Sequence, residues 1–266
     1  MLTDAQKKHF QTFGFLIFRQ LFTQTEIDLI RCESDKILAA NRRGKAFPGK
    51  TRQAMIPFFE KSPALLEFIV DDRIHAIGEG LLGPDYILNA TEGNLHTGDT
   101  YWHGGDDTAE VLPHVKIAFY LESTTRDTGA LRLIPGSHKA EFSRHLQALK
   151  EQQDDASAMP FGVPGDQLPC VVFESQPGDI GVFTEHTWHA AFGGAPGRSQ
   201  HAINFQANPK TDEELAHLLE LCDKFRYSMH PPEELINNDH PRIQRMISRL
   251  LELGIGPPEP MPIFEC

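Results

Sequence analysis

Six short apolar segments between residues 86 and 207, each closed by Gly, Pro, Asp or Asn, restrict the middle of this chain to stacked β-strands. They run Tyr86 to Leu95, Val115 to Leu121, Ala130 to Ile134, Val171 to Phe173, Ile180 to Phe183 and His201 to Ala207. The residues before them read differently. Thr3 or Asp4 caps an amphipathic run through Phe10, Gly14 stops it, and Phe15 to Phe18 forms a short buried strand. Thr23 to Glu26 opens a second capped helix reaching about Ala40, and residues 41–54 are a polar, basic loop. Two more helices are predicted over Ser62 to Leu66, with Pro63 in its first turn, and over Asp71 to Leu82, closed by Gly83-Pro84. Helix returns from Thr211-Asp212 through Arg226 and again from about Pro241 to Leu253. Strands after a helical layer imply a sandwich or barrel with helices packed on one side.

No Gly/Ser- or Pro-rich linker divides the 266 residues, which predicts one domain over 1–266: a helical layer at 1–85, a strand core at 86–208 and C-terminal helices at 209–266. The net charge of −12 excludes a general binder of nucleic-acid polymers, which needs a concentrated excess of Lys and Arg. A local cluster exists nonetheless. Arg42, Arg43, Lys45, Lys50 and Arg52 form either a solvated loop or a clamp for an anionic small molecule. Cys32, Cys170, Cys222 and Cys266 are far apart with no CxxC pairing, which fits reduced thiols in a cytoplasmic protein. The first residues lack an apolar signal core, and no run approaches the roughly 18 apolar residues of a membrane span.

Chemistry concentrates at residues 94–106, Asn-Leu-His-Thr-Gly-Asp-Thr-Tyr-Trp-His-Gly-Gly-Asp. His103 ends one strand-like segment, and His189 lies near the end of another, in Gly-Asp-Ile-Gly-Val-Phe-Thr-Glu-His-Thr-Trp-His. Two imidazoles from separate strands plus one carboxylate make the facial set that leaves open positions on a non-haem Fe(II). Zinc hydrolysis would use a similar set. It leaves Arg198 and the run from Gly129 to His138 unexplained.

Tyr101-Trp102-His103, Lys116 to Leu121, Asp127 to Lys139 (which includes Pro-Gly-Ser-His), Gly178-Asp179, His189 and Arg198, in this order, resemble the phytanoyl-CoA dioxygenase family. The similarity spans roughly residues 90–208, and the opening helix-strand-helix resembles the family's start. It implies a mainly β fold with a double-stranded β-helix (jelly-roll, cupin-like) core flanked by N- and C-terminal helices. It also implies Fe(II), 2-oxoglutarate and O2 as cofactors and cosubstrate, acting on a small-molecule substrate. His103 and His189 match the two iron-binding histidines, and Arg198 matches the arginine that pairs with the far carboxylate of 2-oxoglutarate. A planar guanidinium suits that role because it gives two parallel charge-assisted bonds. Lys116 is a possible second cosubstrate contact or an exposed strand lysine. His138 reads as a loop residue. Glu185, His186, Trp188, Tyr101 and Trp102 either line the pocket or pack the core.

The family pattern His-x-Asp is broken here, since Gly105 stands two residues after His103 and Asp106 follows. Residues 103 and 105 of a strand share a face while 106 points away. Asp106 therefore reaches iron only through a bulge, which two adjacent glycines favour. Otherwise position 105 is vacant and chloride fills it, as in the radical halogenases that the site resembles, in which Gly or Ala replaces the Asp. Three readings follow: radical chlorination at Gly105 as the leading one, hydroxylation with Asp106 as ligand, and an inactive jelly-roll binding protein.

Overall fold

The computed structural model describes residues 1–105 and 111–260, so Asp106 and Asp107 lie outside the described residues. Helix α1 (Asp4–Phe13) and helix α2 (Gln24–Asn41) flank strand β1 (Phe15–Phe18). Both helices begin with a reciprocal cap. The Thr3 and Thr23 hydroxyls accept from the backbone N–H of Gln6 and Glu26, whose side chains accept from the threonine N–H in return. Each such cap is worth about 1 kcal/mol. The basic loop after α2 ends in an unexpected short strand, β2 (Gln53–Met55). Helices α3 (Pro63–Ile69) and α4 (Asp72–Leu82) follow, the first ending three residues later than the apolar pattern indicated.

Eight strands complete the core: β3 (Ile87–His96), β4 (Thr100–His103), β5 (His114–Phe119), β6 (Leu131–Leu133), β7 (Val171–Phe173), β8 (Ile180–Phe183), β9 (His189–Ala191) and β10 (Arg198–Gln206). They form two antiparallel sheets, one ordered β1-β8-β5-β10-β3-β2 and the other β4-β9-β6-β7. This is the jelly-roll core flanked by helices. Between β6 and β7 lie the short helices α5 (Ala140–Arg144) and α6 (Glu151–Asp154). The chain then returns to helix in α7 (Asp212–Lys224), α8 (Glu233–Ile236) and α9 (Pro241–Glu252). No described helix is long and apolar enough to cross a membrane.

Alternation along the strands decides what reaches the interior between the sheets. On β5, Val115, Ile117 and Phe119 join the large core under the helices with Phe22, Ile30, Phe59 and Met246. Ala118 and Tyr120 turn the other way, onto Phe173, Phe183 and Leu131 of the inter-sheet core, and Lys116 shares their face. On β10, Ile203 and Phe205 go to the helices, so Arg198, Gln200 and Asn204 are directed inward. Trp102 and Trp188, fully buried, face outward from the smaller sheet and pack with Ile134, Leu149 and Leu168.

Candidate active site

β4 pairs with β9 so that His103 stands directly opposite His189, with a register irregularity between Thr100 and His103. Their ring centroids are 4.0 Å apart. His103 Nδ1 lies 2.8 Å from the Tyr101 carbonyl and His189 Nδ1 lies 2.7 Å from the Thr187 carbonyl. A carbonyl only accepts, so each Nδ1 carries the proton and each Nε2 keeps its lone pair. Burial holds both rings below the ordinary histidine range, and for His189 the facing His103 adds to the effect. The result is two neutral, aligned nitrogen donors, the chemistry a divalent iron site requires.

Both histidines line two cavities. The smaller, about 80 Å³, is bounded by Arg52, His96, Thr100, Lys116, Arg198 and Gln200 together with the apolar Ala118, Leu131 and Phe183. Arg198 is 6% exposed, its guanidinium lies over the Tyr120 ring, and its Nε and Nη2 have no hydrogen-bond partner among the described residues. A buried guanidinium edge left open in this way fits a carboxylate. Gly129 and Gly194 make room for it, since a Cβ at either would meet Arg198 Nε at 2.4 or 2.7 Å. Burial, reinforced by the positive charges of Arg52 and Arg198, pushes His96 down to about 3, so it stays neutral between the two arginines. The donors present therefore fit a small dicarboxylate beside the histidine pair.

The larger cavity, about 510 Å³, opens on the other side of the histidines and takes in Glu92, His114, Lys116, Glu185, His186 and Asn204. Lys116 is not an exposed strand lysine. Its Nζ donates to Glu92 Oε1 at 2.6 Å and to Glu185 Oε1 at 2.9 Å, at a position with 12% side-chain exposure. Burial works against its charge, but the two carboxylates outweigh that, and its pKa rises. Glu92, His96, His114, Gln200 and Asn204 were missed in the sequence. A signal existed on β3, where Glu92, Asn94 and His96 lie two apart and alternate with Gly93 and Leu95.

Other expectations sort cleanly. Trp102 and Trp188 pack rather than line the pocket, their indole N–H groups donating to the Gly165 carbonyl and to Ser143 Oγ. Glu185 and His186 do line the larger cavity. His138 Nε2 contacts the Gln11 carbonyl, the loop role expected of it. The basic cluster divides: Arg42 turns to Gln53 and the Lys45 carbonyl, Arg52 reaches Asn94 and the smaller cavity, and Arg43, Lys45 and Lys50 are exposed.

Of the two geometries expected at 103–105, a continued strand face or a glycine turn, the structure has the turn. β4 ends at His103, and Gly104 and Gly105 have φ of 114° and 62°, a left-handed turn instead of extended chain. The Gly105 N–H donates to the His186 carbonyl at 2.8 Å. A Cβ on Gly105 would meet Trp188 Nε1 at 2.0 Å and Ser143 Oγ at 2.3 Å. Position 105 thus looks onto the tryptophan that packs behind the sheet. His103 and Gly105 do not share a strand face.

The family model for phytanoyl-CoA dioxygenase (PhyH) matches residues 10–201. The chain belongs to the phytanoyl-CoA dioxygenase family. Two relatives are similar in sequence. Dioxygenase FUM3 of Gibberella moniliformis is 24% identical over 174 residues, covering 53% of this chain and 57% of its own length. The ectoine dioxygenase of Stutzerimonas stutzeri is 25% identical over 175 residues, covering 59% and 58%. The matched stretch thus spans under three-fifths of either relative. In fold, the family jelly roll superposes on HygX from Streptomyces hygroscopicus, solved with nickel and 2-oxoglutarate bound, at a TM-score of 0.63 and 21% identity over 79% of this chain and 89% of that one. EctD from S. alaskensis, solved with iron bound, gives 0.58 and 18% over 77% of each.

Proposed function

We propose that this chain is a non-haem Fe(II)/2-oxoglutarate-dependent oxygenase that hydroxylates an aliphatic C–H of a small molecule. One observation carries the reading: two neutral Nε2 donors face each other between a small cavity with an open arginine edge and a larger one with room for a substrate. The iron and 2-oxoglutarate bound by the structural neighbours agree with it.

His103 and His189 would hold the metal through Nε2, with Asp106 as the carboxylate. Fe(II), 2-oxoglutarate and O2 together supply an oxidant that removes hydrogen from an unactivated C–H, with succinate and CO2 as co-products. The chain's own residues orient and exclude water. Arg198 takes the far carboxylate on its unpartnered Nε and Nη2. Lys116 spends two N–H bonds on Glu92 and Glu185, which leaves a third for the cosubstrate. Arg52 lines the same small cavity, so the anion expected of the basic loop is assigned to the cosubstrate. Ala118, Leu131 and Phe183 keep the wall opposite apolar.

Hydroxylation with Asp106 is favoured over chlorination by the turn at Gly104-Gly105. Chlorination, the leading expectation, rested on Gly105 leaving a gap on the His103 face; the turn that carries position 105 toward Trp188 supports hydroxylation instead. The test is anaerobic titration of the apo-protein with Fe(II) and 2-oxoglutarate, with and without chloride, following the visible charge-transfer band. A band indifferent to chloride and lost in Asp106→Ala is expected. A band that shifts with chloride and survives Asp106→Ala would restore the halogenase, and no band would leave a jelly-roll binding protein.

A further inference from the structure

We infer that the substrate presents a protonated amine to Glu185 on the floor of the larger cavity, so that the enzyme acts on small cationic or zwitterionic molecules. The inference rests on the oxygenase reading only in taking that cavity as the substrate's.

The floor is a chain of polar groups whose hydrogen bonds can be followed one by one. Glu92 Oε1 accepts from Lys116 Nζ at 2.6 Å and from Asn204 Nδ2 at 2.9 Å, and Glu92 Oε2 accepts from Asn94 Nδ2 at 3.4 Å. Arg52 adds a longer ion pair to Glu92 at 3.8 Å. Lys116 then bonds Glu185 Oε1 at 2.9 Å. There the chain stops. Among the described residues, the closest charged or polar partner of Glu185 Oε2 is His114 Nε2 at 3.8 Å, too far for a hydrogen bond. Glu92 keeps 9% side-chain exposure against 45% for Glu185, so the carboxylate with a free oxygen is also the accessible one.

Neighbouring amides repeat the pattern. Asn204, 2% exposed, donates through Nδ2 to Glu92 and to the Ala90 carbonyl, both acceptors. Its Oδ1 is therefore fixed as an acceptor, and it has no donor among the described residues. Gln206 Nε2 donates to the Leu112 and Pro113 carbonyls, so Gln206 Oε1 accepts from Asn89 Nδ2 at 3.3 Å. That leaves Asn89 Oδ1 without a donor among the described residues as well. Buried acceptors without donors are costly to leave unmatched. A wall short of donors and ending in a carboxylate matches a ligand group that brings several N–H bonds and a positive charge. His114 does not neutralise Glu185, because burial keeps its imidazole uncharged.

The probes are 1,4-diaminobutane, butane-1,4-diol and butyrate, titrated by calorimetry into the metal-free protein and into the protein loaded with Ni(II) and 2-oxoglutarate. The diamine is expected to bind at least about tenfold tighter than the diol, equivalent to about 1.4 kcal/mol. Glu185→Gln should remove most of that preference, and Glu185→Asp, which keeps the charge, should retain it. Equal affinity for diamine and diol, tighter binding of butyrate, no diamine binding at millimolar concentration, or a preference that survives Glu185→Gln would each overturn the proposal. The charge-transfer band read on the iron-loaded protein reports separately on the oxygenase reading, and the metal-free titration tests the amine site whichever way that result falls.

Discussion

His103 and His189 stand opposite each other on antiparallel strands, 4.0 Å apart between ring centroids, and each donates its Nδ1 proton to a backbone carbonyl two residues earlier. The strand ladder sets their separation, and the carbonyls set their tautomer. Both constraints come from the protein's own backbone, so the histidine pair is pre-organised. His103→Ala and His189→Ala are each expected to weaken Fe(II) or Ni(II) binding by more than about 100-fold, the upper end of what outer partners alone contribute. Metal titration monitored by calorimetry checks this. Retained affinity in either variant would place the metal elsewhere.

Arg198 offers two nitrogens without a hydrogen-bond partner among the described residues, in a cavity that Arg52 also lines. Arg198→Lys keeps the charge and loses the two-point geometry. The expected effect is a rise in the 2-oxoglutarate dissociation constant of about 10- to 100-fold, the worth of one charge-assisted hydrogen bond. Metal affinity measured without 2-oxoglutarate should stay near the native value, since Arg198 is not a proposed ligand.

Gly105 is confined by its φ of 62° and by Trp188 and Ser143 at the place a Cβ would occupy. Gly105→Ala should break the bond between Trp188 Nε1 and Ser143 Oγ and lower stability by about 1–3 kcal/mol. Thermal unfolding of the apo-protein checks this. An unchanged Tm would mean that the turn relaxes freely, and would reopen the chance for position 105 to face the histidines.

Much of this organisation was legible in the sequence because it is local. The Thr3, Thr23 and Thr211 caps and the segments of β7 and β8 follow from neighbours a few residues away. The strands that carry His103 and His189 were harder. β4 and β9 have four and three residues, too few for a periodic signal, and it is pairing between positions 86 residues apart that makes them strands. Family motifs marked His103, His189 and Arg198, but the partners of Lys116 come from β3 and from the turn before β9, a relation set by packing. Of the two geometries the sequence left open at Gly105, extended strand or a glycine turn, the chain takes the turn, with both consecutive glycines at positive φ.

Glu60 offers a prediction away from the catalytic groups. It is 4% exposed, contacts the Thr91 hydroxyl, and burial pushes its pKa up from 4.5 to about 7. The Thr91 oxygen already accepts from the N–H groups of Phe58 and Phe59, so its own proton goes to Glu60. With the folded pKa above the unfolded one, the folded state binds the proton more tightly. The stability linked to it is complete below pH 4.5 and is lost as pH rises through about 7. Glu60→Gln supplies a permanently neutral group of similar shape, so its unfolding free energy should fall less than that of the native protein between pH 5 and pH 8. Urea unfolding at the two pH values measures the difference. Parallel behaviour of the two proteins would mean that Glu60 is ionised in the native state across this range.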